Sequence, residues 1–363
     1  MTQNLSEAAG QLLIVGFHGT EAPQAGVEEA LRAGQIGGVI LFARNIGPGD
    51  EGLRQLAALN ARLDACRAPD GAPPFIAVDQ EGGRVRRLRH GVTLVPAMAR
   101  LGERNDPDLA ARVSEVIATE LSLLGFNLNF APVMDVSTNP DNDVIGDRAF
   151  GSDPERVAAL AGAFTVGHYV ASVVPCAKHF PGHGDTLIDS HHDLPVLHHD
   201  LARLDAVELV PFKRAIKSGI PMIMTAHLLI PALDPDHPVT LSPLGVGHLL
   251  RERLKFKGVI ISDDLEMKAI ADRYPIEDVV ELGLAAGLDI FLICHTEEKW
   301  RRAHAHLVHL GQRDPIAHDR ILAAAARVRD LKARLLPSAP YEPPPDLLDQ
   351  LDTPAHRAIL AAL

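Results

Sequence analysis

Chemistry gathers where an apolar run stops. Val173-Val174-Pro175-Cys176-Ala177 breaks at Lys178-His179 into Phe180-Pro181-Gly182-His183-Gly184-Asp185-Thr186, and Asp189-Ser190-His191-His192-Asp193 follows shortly after. A buried charge is costly unless it is paired, so a Lys-His step directly after a strand-like run points to a polar ligand at the strand's end. A merely solvated loop has no reason to order its residues as Lys-His, Gly-His-Gly and Asp-Ser-His. A second signal is Gly258-Val259-Ile260-Ile261-Ser262-Asp263-Asp264-Leu265, which sets a carboxylate where another apolar run ends. Such an aspartate can be a metal ligand, a helix N-cap or a nucleophile. If Asp264 takes the capping role, Asp263 is left facing the end of the strand.

These groups need elements to hold them. Short apolar runs at Leu12–Phe17, Ile36–Phe42, Phe75–Val78, Asn127–Pro132, Val173–Ala177, Pro221–His227, Gly258–Asp263 and Leu288–Ile293 read as eight strands. Stretches of helical character alternate with them, among them Asp50–Cys66, Asp108–Leu124, Leu201–Lys217, Ser242–Phe256 and Ile276–Ala286. Strands that are apolar throughout belong to a parallel sheet buried on both faces, and eight repeats in this length predict an α/β protein with a (β/α)8 TIM-type barrel. A doubly wound open sheet is the other arrangement, but no Gly-x-Gly-x-x-Gly follows the first strand. Asp79, Asp135, Lys178 with His179, His227, Asp263 and His295 all fall at the same end of their strands, the end that carries the catalytic loops of a barrel. The catalytic barrel is expected over residues 1–335. Residues 336–363, proline-rich and then helical, form a linker or strap packing on the barrel or extending from it.

Composition narrows the function. The 363 residues are 47% hydrophobic and 23% charged, ordinary for a globular protein with a large core. Net charge is −12 and the basic residues are scattered, which speaks against nucleic acid as a partner. Cys66, Cys176 and Cys294 have no metal-like spacing. No run is long enough to span a bilayer, and the first residues lack the pattern of a cleaved signal, so a cytoplasmic protein that does not engage membranes is expected.

Taken together, Lys178-His179-Phe180-Pro181-Gly182-His183-Gly184-Asp185-Thr186, Asp189-Ser190-His191, Val78-Asp79-Gln80-Glu81-Gly82-Gly83-Arg84-Val85, Gly146-Asp147-Arg148-Ala149-Phe150-Gly151 and Ile261-Ser262-Asp263 resemble glycoside hydrolase family 3, in its β-N-acetylglucosaminidase branch. The resemblance runs from about Leu12 to Gly287. It implies Asp263 as the catalytic nucleophile, His191 as an unusual general acid/base and Asp189 as the carboxylate paired with it. It further implies that Asp79, Arg87, Arg148, Lys178 and His179 hold the non-reducing N-acetylglucosamine. Its β-glucosidase branches take a glutamate from a second domain instead; this chain has the Asp-Ser-His in its place. The implied activity is retaining exo-β-N-acetylglucosaminidase action on peptidoglycan turnover fragments such as N-acetylglucosaminyl-1,6-anhydro-N-acetylmuramic acid, with or without peptide. No cofactor and no metal are implied, the partner is a small carbohydrate, and a monomer is expected.

The chemistry is consistent with these residues. A retaining glycosidase needs a carboxylate nucleophile and a proton donor. Deprotonated histidine is uncharged and places no second anion beside the glycosyl-enzyme, and a carboxylate two residues away can fix its tautomer and raise its basicity. Both sit in a glycine-bearing loop of roughly twenty residues, the length of a functional moving element, so proton donation is expected to depend on loop closure. His183 and Asp185 are expected to hold that loop, and His192, His198, His199, His304, His306 and His309 to lie on surfaces or loops. Low aromatic content favours a hydrogen-bonded pocket for one terminal sugar over stacking along a chain. Three rivals remain at this level. A metal-dependent barrel hydrolase is disfavoured by the missing His-x-His and by Lys178 in the same pocket. A phosphorylase would resolve the same intermediate with phosphate. A silent sugar-binding protein would not need Asp263, Asp189 and His191 together.

Overall fold

The computed structural model describes residues 4–24, 26–186, 190 and 193–363. Eight parallel strands close into a barrel in chain order: β1 Leu13–Gly16, β2 Gly38–Leu41, β3 Phe75–Val78, β4 Leu128–Asn129, β5 Val174–Phe180, β6 Met222–Thr225, β7 Val259–Asp264 and β8 Ile290–Ile293. Closure is made by β1 against β8, with Leu13 opposite Phe291 and Val15 opposite Ile293. The expected (β/α)8 architecture is thus present. β4 is shorter than the run that announced it, two residues rather than six.

Alternation along the strands decides which side chains reach the mouth. Phe75 and Ala77, Val174 and Cys176, and Val259 and Ile261 fill the barrel interior, while Ile76, Val78, Ala177 and Ile260 pack outward under the helices. Because the side-chain period of a strand is two, the next inward positions are Asp79, Lys178 and Asp263. The interior column therefore ends in charge at the C-terminal rim of three different strands.

The opposite end is closed by apolar side chains. Val328, Leu331 and Leu336, from the helix Pro315–Leu335 and the residue after it, join the barrel interior. Between them Lys332 is buried, donating to Gln11 Oε1 and to the Gly37 carbonyl, each at 2.7 Å, with its ammonium 4.8 Å from the centre of the Phe75 ring. Burial pushes its pKa down to about 7. The first helix, Leu5–Gln11, packs on this same helix, so the two ends of the barrel sequence meet at its floor.

Two helical expectations change. Leu201–Lys217 is two helices, Leu201–Ala206 and Leu209–Lys217. Pro211 explains the break, since its ring would clash with the carbonyl four residues earlier, that of Val207, in a continuous helix. Pro243–Arg253 is helical but wound with i to i+5 hydrogen bonds of the π type. Short helices at Met98–Arg104 and Lys268–Ala271 had no signal strong enough to predict them. Beyond the barrel, Tyr341 donates from its hydroxyl to the Leu123 carbonyl at 2.6 Å, and Leu347 and Leu351 are buried against the outer core. Among the described residues no helix is long and apolar enough to cross a membrane.

Candidate active site

Five charged side chains at the mouth form one alternating chain of ion pairs. Arg87 Nη2 meets Asp79 Oδ2 at 2.9 Å, and Lys178 Nζ meets Asp79 Oδ1 at 2.9 Å and Glu81 Oε1 at 2.6 Å. Arg148 grips Glu81 with two parallel bonds, Nε to Oε2 at 2.9 Å and Nη2 to Oε1 at 2.8 Å. Lys178 and Glu81 are almost fully buried, which such charges tolerate only because each is shared between opposite partners. Burial would raise the Glu81 carboxyl, but Arg148 and Lys178 outweigh it and hold it at about 2. Burial likewise works against Asp79, and Lys178 and Arg87 keep it well below the ordinary carboxylate range. Lys178, where burial opposes the charge, is nonetheless raised by Asp79 and Glu81. The network is ionised at neutral pH.

His179 is oriented from behind. Its Nδ1 lies 2.7 Å from Asp135 Oδ2, and Asp135 Oδ1 accepts the backbone N–H groups of His179 and His183 at 3.2 and 2.7 Å. With Nδ1 turned to the carboxylate, Nε2 lies on the other side of the ring, 3.5 Å from Arg148 Nη2. Asp135 is wholly buried, so its one charge fixes both the imidazole and the start of the glycine-rich loop.

Asp263 is partly exposed where β7 ends. Burial raises its carboxyl, but His179, His227, the Asp264 amide and Lys178 together hold it below the ordinary value. Its Oδ1 accepts the Asp264 N–H at 2.8 Å. Asp264 takes another task, accepting the N–H groups of Glu266 at 3.0 Å and Cys294 at 3.3 Å and so tying the β7 turn to the end of β8. It caps a turn rather than a helix, because the helix that follows begins only at Lys268. His227, from the end of β6, bonds Thr240 Oγ1 at 2.8 Å and the Asp264 carbonyl at 3.0 Å, bracing the same turn.

The expected site residues Asp79, Arg87, Arg148, Lys178, His179 and Asp263 belong to this mouth. Asp189 and His191 lie outside the described residues. Ser190, between them in sequence, is described: it is buried, its Oγ is 3.2 Å from His183 Nε2, and its carbonyl accepts the Ala269 N–H at 3.2 Å, six residues after Asp263. His183 also bonds Thr186 Oγ1 at 2.8 Å, and Asp185 bonds Thr138 Oγ1 at 2.7 Å and pairs with His199 at 2.9 Å. Glu81 and Asp135 were not assigned roles from sequence. Glu81 lies two residues beyond Asp79, and that spacing of inward-facing positions was the signal available for it.

A family model described as the glycosyl hydrolase family 3 N terminal domain matches residues 4–331. The chain belongs to glycoside hydrolase family 3. A beta-hexosaminidase of Chromobacterium violaceum is 41% identical to this family 3 chain over 302 residues, 82% of the chain and 81% of the relative. Among solved structures, a glycoside hydrolase family 3 beta-N-acetylglucosaminidase from Paenibacillus sp. FPU-7 matches with a TM-score of 0.94 at 38% identity, over 99% of this chain and 68% of its own. NagZ from Neisseria gonorrhoeae, solved in complex with N-trifluoroacetyl-D-glucosamine, matches with a TM-score of 0.80 at 32% identity, over 97% and 96%. As a family 3 member the chain is a glycoside hydrolase. Among the described residues no group of three or more His, Cys, Asp or Glu side chains is arranged to hold a metal ion.

Proposed function

We propose that this glycoside hydrolase is a retaining exo-β-N-acetylglucosaminidase that releases one terminal N-acetylglucosamine through a covalent intermediate on Asp263. The observation that carries the reading is Asp263 itself, a depressed carboxylate at the inward position of β7, at the mouth that also holds the fixed donors Lys178 on β5 and Arg87 and Arg148 on the segments after β3 and β4. Arg87 Nε is buried with no hydrogen-bond partner among the described residues, and its guanidinium carbon stands 5.3 Å from the centre of the Phe42 ring, while its Nη2 holds Asp79. The beta-hexosaminidase relative and the two matched structures support N-acetylglucosamine as the sugar.

In the reaction, the Asp263 carboxylate attacks the anomeric carbon as the bond to the leaving oxygen breaks, and that oxygen takes a proton from His191, oriented by Asp189. The neutral imidazole then removes a proton from water, whose oxygen displaces Asp263 and returns the sugar with its original anomeric configuration. Ionisation of Asp263 at neutral pH and the absence of a second anion on the acid/base suit both halves. Peptidoglycan turnover disaccharides, N-acetylglucosamine on 1,6-anhydro-N-acetylmuramic acid, are the substrates we assign to it, in the cytoplasm. Residues 1–335 are read as the catalytic unit and 336–363 as an appended strap.

A screen of 4-nitrophenyl glycosides, with and without phosphate, tests the reading. Strong preference for the β-N-acetylglucosaminide, with free N-acetylglucosamine as product in both buffers, is expected. Comparable rates on the β-glucoside would sink the assignment of the sugar, and N-acetylglucosamine 1-phosphate would make the protein a phosphorylase. A 2-fluoro sugar should label the peptide containing Asp263, and a label elsewhere would move the nucleophile.

A further inference from the structure

The loop from Asp79 to Ala97 leaves β3 with Arg87 on it and returns along the outside of the barrel. Its outgoing half is held by Gln80, whose Oε1 accepts the N–H groups of Arg87 at 2.8 Å and Leu88 at 3.2 Å. Its returning half is tied to the outgoing one by Gly83 N–H to the Val95 carbonyl at 2.9 Å, and it is anchored at Thr93. That anchor is one buried carboxylate, Glu120, on the helix Pro107–Leu123. Glu120 Oε2 accepts the Thr93 N–H at 2.7 Å and Oε1 accepts the Thr93 hydroxyl at 2.6 Å.

The same Oε1 accepts two further donors from the end of the chain. Asp352 N–H reaches it at 2.8 Å and His356 Nδ1 at 2.8 Å. Asp352 Oδ1 lies 3.4 Å from Thr93 Oγ1, a direct contact between the tail and the loop. Asp352 takes a left-handed backbone conformation, φ +45°, rare for a residue other than glycine, and holding it there requires fixed partners. It has them in Glu120 through its N–H and Arg357 through its carboxylate. Leu347 and Leu351, buried between this helix and the helix Gly49–Asp64, seat the segment. A tail that only filled surface would not spend a strained residue and a buried carboxylate on the loop that carries a substrate-reading arginine.

We propose that the C-terminal segment is a clamp on the Asp79–Ala97 loop, and that Glu120 is the positioning residue through which it sets Arg87. The proposal rests on the reading of Arg87 as a sugar-binding residue only for its kinetic consequence. The geometric claim, that the tail holds the loop, stands apart from it.

Two measurements keep the claims separate. Hydrogen exchange on the full chain, His356→Ala and Glu120→Gln reads the loop directly. The amides of Arg87 to Val95 should exchange about tenfold faster in each variant while barrel strands such as β5 and β6 keep their protection. Unchanged exchange in folded His356→Ala and Glu120→Gln overturns the clamp. In steady-state kinetics on the aryl β-N-acetylglucosaminide, His356→Ala should raise KM about fivefold and leave kcat within about twofold. In an Arg87→Ala background the same substitution should raise KM no further. Additive effects would overturn action through Arg87. Normal KM in Arg87→Ala would instead remove the sugar-binding reading of that residue, and exchange would still decide the clamp.

Discussion

At the scale of single residues, the charges of the mouth differ in what their removal does: Asp263 has no ion pair among the described residues, whereas Glu81 is shared between two cations. Asp263→Asn keeps the shape and loses the proposed nucleophile, so turnover of the aryl N-acetylglucosaminide should fall to a trace while the thermal unfolding midpoint stays near that of the parent. Glu81→Ala is the opposite case. It strips the partner from Arg148 and one of two from Lys178, and breaking a buried pair from one side costs about 3–5 kcal/mol, measurable by urea unfolding. Acid should unfold the protein in two windows. Burial, with His179 adding to it at His183, lowers the imidazoles of His168 and His183 to about 4. The unfolded chain, with histidine near 6.5, then binds more protons, so this contribution is whole above about 6.5 and falls as pH drops toward 4. Glu81, at about 2 when folded, adds a second loss from the ordinary carboxylate value near 4.5 downward. A stability that rises on going from pH 7 to pH 4.5 would contradict the first sign, and one that rises from pH 4.5 to pH 2 the second. Much of this site was legible residue by residue, since strand-end position and type pick out Asp79, Lys178 and Asp263. Glu81 and Asp135 were harder, because their roles depend on partners 67 and 44 residues away in the chain.

At the scale of elements, the glycine-rich segment after β5 works by close approach. A Cβ on Gly184 would lie 1.9 Å from the Val136 carbonyl oxygen, the residue after Asp135, and both are backbone-bound positions that cannot swing aside. Gly184→Ala should cost about 1–3 kcal/mol of stability and shift Asp135, and with it His179. A misplacement of about 1 Å can cost up to about 100-fold in rate, so kcat/KM should fall far more than stability alone explains. Wild-type kinetics in this variant would show that the loop tolerates the shift. The strands and most helices could be read from periodicity, because a parallel barrel makes each strand apolar throughout. The split of Leu201–Lys217 was legible in Pro211, whose effect falls four residues upstream of itself. The course of the tail was not, because Tyr341, Asp352 and His356 are placed by partners on the helix Pro107–Leu123 and not by any pattern of their own.

At the scale of the whole molecule, the three cations Arg87, Arg148 and Lys178 of the described mouth stand among the carboxylates of Asp79, Glu81, Asp135 and Asp263, and the chain carries −12. The long-range field is therefore that of a polyanion. If the proposed substrate assignment holds, an anionic muropeptide is captured faster as salt screens that field, its kcat/KM rising with ionic strength, while a neutral aryl glycoside shows no such trend. The closure of β1 on β8 also bears on how the molecule is made. The first strand leaves the ribosome with its second edge bare, and the partner for that edge begins at Ile290. At about 5–20 residues per second, the wait is roughly 14–55 s. The floor of the barrel waits longer still, until Val328, Leu331 and Lys332 arrive to meet Gln11 and Gly37. Ribosome-bound chains halted before β8 should be cut readily by protease within β1 and β2, and chains extended past Leu336 should not. The barrel thus becomes one object only when β8 and the helix that floors it have been made, and an exposed strand edge, open to chaperones or to another nascent chain, is its condition until then.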